Sequence, residues 1–87
     1  MKTIDFRHFK MFTDIAQENV IEQDLHKDFA DLLYKNVNGI AAHDLALRIY
    51  RSEKPVELSD EEVGLLREFI KNGTPIFIDS FENNIKE

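Results

Sequence analysis

The residues best suited to metal binding or acid–base work are three histidines, His8, His26 and His43, and seventeen Asp and Glu. A metal site needs three or four ligands converging on one point, often with two of them at i and i+4 on a helix. His26 and Asp28 are two apart and would diverge on a helix, and His43 adjoins Asp44, so the histidines are read as surface residues. Two catalytic carboxyls must face each other across a cleft with separated pKa values. Asp24, Asp28 and Asp31 instead fit the solvated face of one helix, and the acids from Glu57 to Glu62 are accounted for by helix capping. With no Cys there is no disulfide, thiolate zinc site or thiol nucleophile. Ser52, Ser59 and Ser80 lack the flanking glycines of a nucleophile elbow. Gly39, Gly64 and Gly73 are each isolated, so no glycine-rich phosphate loop is available. The expectation is that catalytic, metal and cofactor-binding residues are all absent and that the chain is not an enzyme.

The elements that would position these residues are brief and separated by turn signals. Residues 1–87 read as one small domain with no linker, repeat or low-complexity tract. Residues 3–23 leave two readings open. In one, Thr3 to Ile15 is a long strand, Ala16 to Asn19 a turn and Val20 to Gln23 a returning strand. Such a hairpin needs helices beneath it, because an isolated one is marginal. In the other, Asp5 caps a helix with Phe6, Phe9, Phe12, Ile15 and Ala16 on one face.

From residue 24 onward the period is helical. Asp24 can cap a helix carrying Leu25, Phe29, Leu32 and Leu33 as its buried stripe, ended by Asn38-Gly39. A second helix spans about Ile40 to Arg51 with Ala42, Leu45, Ala46 and Ile49 inward. Ser52 to Leu58 is read as a connection broken by Pro55. Ser59-Asp60-Glu61-Glu62 has the form of a capping box opening a third helix, with Val63, Leu66, Phe69 and Ile70 buried. Gly64 lies inside that helix, where close packing of a neighbouring helix would explain it. Asn72-Gly73 ends the helix. Thr74-Pro75 then starts a last helix through Ile78, Phe81 and Ile85, with a short strand at Ile76 to Ile78 as the alternative.

The formal charge of −6 disfavours phosphate-rich partners and anionic membranes. A helix-turn-helix is excluded on two counts. The Ser52–Leu58 connection exceeds the usual three or four residues, and the would-be recognition helix opens Asp60-Glu61-Glu62, of the wrong sign for phosphate. Arg48, Arg51 and Lys54 are too few for a nucleic-acid patch. No apolar run approaches the roughly 18 residues of a membrane span, and Met1 to Lys10 lacks the apolar core of a signal peptide. The chain is therefore read as complete, intracellular and cytoplasmic.

The stretch from Gly39 to Ser52 resembles a group of small uncharacterised proteins encoded by prophages and mobile elements of Bacteroides-type bacteria. The likeness rests on Asp44-Leu45-Ala46, Ile49-Tyr50 and Ser52, which match a motif close to Asp-Leu-Ala-x-x-Ile-Tyr-x-Ser. Pro55-Val56-Glu57, Ser59-Asp60-Glu61-Glu62 and the earlier helix start Asp24-Leu25 extend it. The resemblance implies an N-terminal hairpin, an acidic helix start, a final helix and a phage or mobile-element origin. It implies no activity, ligand or catalytic residue.

Together these readings predict an α+β fold, mainly α, with an N-terminal β-hairpin packed on three or four short helices; the alternative is an all-α small bundle. The expected function is a non-enzymatic protein-interaction module of a prophage or mobile element, binding a protein partner or a second copy of itself. An acidic nucleic-acid mimic that blocks a DNA-binding protein is the alternative. Seven Phe in so short a chain suggest an aromatic surface patch. If residues 3–15 form one strand, Phe6 and Phe12 face one side and Phe9 the other, so some of these rings should stay outside. Phe6, Phe9 and Phe12 are thus the candidate interface, and the hairpin's outer edge would offer unpaired backbone groups to another strand.

Overall fold

The computed structural model describes residues 2–87. Strand β1 is Lys2–Ile4, followed by a 3-10 turn at Phe6–His8, β2 at Phe9–Phe12 and β3 at Val20–Gln23. Helices α1 (His26–Asn36) and α2 (Ile40–Tyr50) come next, then β4 (Val56–Leu58), α3 (Asp60–Ile70) and α4 (Pro75–Asn84). The fold is α+β and mainly α, with a β2–β3 hairpin near the N-terminus.

The expected single strand from Thr3 to Ile15 is broken, and the cause is local. The Asp5 carboxylate accepts the amides of Arg7 at 3.1 Å and His8 at 3.2 Å, which rolls the backbone into the 3-10 turn. Short acidic side chains compete with strand pairing in this way. The break sends the two halves to different partners. β1 pairs antiparallel with β4 in the register Lys2↔Leu58, Thr3↔Glu57, Ile4↔Val56. β2 pairs antiparallel with β3, from Phe9↔Gln23 to Phe12↔Val20. The segment expected to be a plain connection after Pro55 therefore holds a strand, whose Val56 and Leu58 are buried while Glu57 is exposed.

The helices mostly follow their apolar spacing. Ala42, Leu45, Ala46 and Ile49 of α2 are buried as predicted. On α1, Phe29 and Leu33 are inward with Ala30 and His26, but Leu32 is exposed. The buried stripe runs through His26, Phe29, Ala30 and Leu33, and Leu32 lies about 100° round the helix from Leu33, on the flank away from Ala30. Gly39 does not end α1. It sits at φ 112°, immediately before α2, and turns the chain between the two helices. Side-chain pairs Tyr34–His43 and Lys27–Tyr50 place α1 and α2 side by side as a helical hairpin. The capping box of α3 is complete: the Glu62 amide donates to Ser59 Oγ at 3.1 Å, and the Ser59 amide to Glu62 Oε1 at 2.9 Å. Thr74 caps α4, with Pro75 at its first position, so residues 76–78 are helical. A Cβ built on Gly64 would meet no atom within 4 Å, so close packing of a neighbouring helix does not explain this glycine.

One apolar cluster joins every element except β3. Phe29 of α1 is its hub: its ring lies 4.9 Å from Phe6, 5.8 Å from Phe69 and 6.4 Å from Phe81. Phe77 bridges Phe29 and Phe9, at 6.3 and 5.8 Å. The buried rings Phe6, Phe9, Phe29 and Phe81 contribute about 1.5–3 kcal/mol each by burial, and stacked pairs add roughly 0.5–1.5 kcal/mol.

Candidate interaction surface

Phe6, Phe9 and Phe12 are not on the surface. They are 1%, 0% and 8% exposed. The 3-10 turn removes the strict alternation that would have divided them between two faces. Phe6 is buried on the turn and stacks 6.3 Å from Phe9, while Phe12, at the far end of β2, is covered from the side of α4. These rings hold the domain together and leave no aromatic patch at the N-terminus.

The apolar surface of the hairpin lies one strand further on. Val20 and Ile21 of β3 are each 46% exposed, and Ile15 at the connecting turn is fully exposed. All four residues of β3 are exposed, which no other strand shows. The turn is built by local bonds. The Asp14 carboxylate accepts the Glu18 amide and the Asn19 side chain, Gln17 adopts a positive φ of 59°, and the Thr13 amide donates to the Asn19 carbonyl.

The hydrogen bonds of β2 determine which way the β3 backbone points. The Lys10 amide donates to Asn84 Oδ1 at 3.0 Å, and Asn84 Nδ2 donates to the Lys10 carbonyl at 2.8 Å. The Phe12 amide donates to Ser80 Oγ at 2.9 Å. Lys10 and Phe12 thus face α4, and Phe9 and Met11 face β3. In an antiparallel ladder this makes Ile21 and Gln23 the inward-bonded residues of β3. The N–H and C=O groups of Val20 and Glu22 therefore point outward.

The other strand edges are covered, that of β4 only in part. α4 replaces a strand along β2 through Asn84 and Ser80, both buried. β1 lies between β4 and Lys86, whose amide and carbonyl bond Thr3 at 2.8 and 2.7 Å. On the far side of β4 the Glu57 carbonyl accepts from Arg48 at 3.3 Å. Among the described residues none bonds to the outward groups of Val20 and Glu22.

The histidines divide. His8 is exposed and bonds Asp5 at 3.1 Å, and His43 is exposed beside the Tyr34 ring. His26, expected at the surface, is buried at the start of α1. Its Nδ1 is hydrogen-bonded to Asp24, whose carboxylate also accepts the His26 amide at 3.2 Å. The hydrogen bond from the His26 side chain holds the Asp24 carboxyl below its ordinary value; partial desolvation opposes this, and the His26 amide and the charges of His26 and Arg7 reinforce it. A carboxylate-oriented histidine has the form of a general base, and the residues around this pair are Arg7, Lys27 and Asp28. Among the described residues no group of three or more His, Asp or Glu side chains could hold a metal ion. None of the helices there is long and apolar enough to cross a membrane.

A shallow groove between α1 and α2 is floored by Ala30 and Ala46 and flanked by Tyr34 and Tyr50. A second follows Arg48, Arg51 and Lys54 along the α2–β4 connection, where Asp44, Glu53 and Glu57 offset the positive charge. Comparison with protein-family models, with curated proteins and with solved structures finds no match.

Proposed function

We propose that this chain is a non-enzymatic protein-interaction module that engages its partner through the hairpin, at β3 and the adjoining turn. One observation carries the reading. β3 is an unpaired edge strand with Val20 and Ile21 half-exposed on opposite faces, beside a fully exposed Ile15. An edge of this kind is a ready template for another chain. The prophage or mobile-element setting and the cytoplasmic location belong to the same proposal, and they rest on the Asp44–Ser52 resemblance and on the composition.

The layout of acids favours this reading over the nucleic-acid mimic. A mimic needs uninterrupted rows of carboxylates. Asp31, Asp44, Asp60, Glu62, Glu68 and Glu82 each lie against a Lys or Arg, which interrupts such rows on the helices.

Site-specific photo-crosslinking in the native cell tests the proposal. A photoreactive side chain at Ile21 should form a discrete protein adduct, and one at Asn72, on the α3–α4 turn, should not. Equal adducts at both positions, or none at Ile21, would remove β3 as the interface.

A further inference from the structure

Resting on that reading, we propose that the outer edge of β3 takes an extended, basic segment of a partner protein as a third strand. The binding chemistry follows from the backbone and its surroundings. Val20 and Glu22 present two N–H and two C=O groups outward, with the spacing of alternate residues in a strand. Main-chain bonds to such an edge supply affinity, and alternate side chains supply selectivity.

Charge specifies the occupant. Residues 14–24 contain Asp14, Glu18, Glu22 and Asp24 and no Lys or Arg; across the fold Lys10 stands opposite Glu22, and Arg7 and Lys27 lie beside Asp24, which leaves the acidic excess at Asp14, Glu18 and the outer side of Glu22. On the strand itself Glu22 shares a face with Val20, and Ile21 occupies the opposite face. A segment with Lys or Arg beside Glu22 and an apolar residue beside Ile21 complements both faces. A second copy of this chain would bring an identical acidic strand, and the overall charge of −6 would oppose that approach.

The test uses the whole protein and a capped six-residue peptide alternating Lys and Val. Its control is the same peptide with every amide N-methylated, which retains the charge and loses the donors. Backbone amide spectra should show the Val20 and Glu22 amides shifting and exchanging more slowly with the first peptide and not with the second. Val20→Pro removes one outward donor where an edge strand tolerates proline, and should weaken binding about three- to tenfold. Glu22→Gln retains the outward amide. It should weaken the Lys peptide and not a peptide of alternating Gln and Val, which keeps the Glu22→Gln result informative if Val20→Pro fails to fold. Unmoved Val20 and Glu22 amides at millimolar peptide, or equal binding of the N-methylated control, would overturn the proposal. So would a doubled mass by light scattering that Val20→Pro abolishes, since it would place a second copy on this edge. An Ile21 adduct that persists in Val20→Pro would retain the interaction surface and reject strand addition alone.

Discussion

Replacing Gly64 with Ala should stabilise the protein. Gly64 is in the middle of α3, solvent-exposed and in helical conformation, and an added Cβ would meet no heavy atom within 4 Å. No packing term opposes the change, so helix propensity and the entropy of the unfolded chain decide its sign. Both favour Ala, by roughly 0.5–1 kcal/mol together. Unfolding entropy near 60 °C is about 2.1 cal/mol/K per residue, or about 0.2 kcal/mol/K for 87 residues. The melting temperature should therefore rise by about 3–6 °C. Paired thermal melts followed by circular dichroism resolve a shift of that size. Gly39→Ala supplies the opposite sign: its φ of 112° strains any L side chain, so that variant should melt lower. A Gly64→Ala melting point equal to or below wild type would refute the reasoning, because a partner to the Gly64 face or a non-helical backbone there would then be required.

Four further outcomes follow from named contacts. Ser59→Ala breaks the capping box and should cost about 0.5–2 kcal/mol in a urea titration. Asn84→Ala leaves the amide and carbonyl of Lys10 without their partner and should cost about 1–3 kcal/mol, with faster hydrogen exchange at Lys10. Phe9→Asp puts a charge at a fully buried site and should leave the chain without its cooperative unfolding transition, where a surface phenylalanine would tolerate the change. Asp24 has a lowered folded-state pKa, so its stabilising contribution is complete above the ordinary 3.8 and disappears as pH falls through the lowered value. Melts from pH 6 down to pH 2 should show Asp24→Asn losing less stability on acidification than wild type does.

The legible parts of this fold were those governed by local rules. The capping box at Ser59, the Thr74-Pro75 start and the Ala42, Leu45, Ala46, Ile49 stripe each involve residues within a few positions of one another, and each lies where its spacing puts it. The misplaced parts turn on single polar groups or distant partners. Asp5 can cap a turn or sit in a strand, and its two amide bonds decide which aromatic rings become core. Val56-Glu57-Leu58 alternates over only three residues, and it becomes a strand because Lys2–Ile4 pairs with it across the chain. The exposed apolar residues of β3 had a faint signal: adjacent Val20 and Ile21 point to opposite faces of a strand, and a two-stranded hairpin can bury only one face. The seven Phe carry no such signal, since aromatic content does not tell an exposed ring from a buried one.

The two sides of the hairpin are treated differently, and the difference bears on how strongly β3 can bind. On the β2 side, burial of Ser80 and Asn84 is accepted so that their side chains can satisfy Lys10 and Phe12. Buried polar groups are tolerated only when fully bonded, and these are: Ser80 Oγ also donates to the Ile76 carbonyl and Asn84 Nδ2 to the Ser80 carbonyl. On the β3 side no such cover exists among the described residues, yet the edge is short. Two outward residues can make about four backbone bonds, worth roughly 0.5–1.5 kcal/mol each. Association costs about 4 kcal/mol or more before any net affinity results. Backbone pairing alone therefore gives binding no tighter than the millimolar range. If a partner strand adds at β3, as proposed, useful affinity has to come from side-chain contacts at Ile21, Glu22 and the neighbouring Ile15. An interface of this kind is selective for sequence and quickly reversible, and it keeps the edge from acting as an indiscriminate template for aggregation.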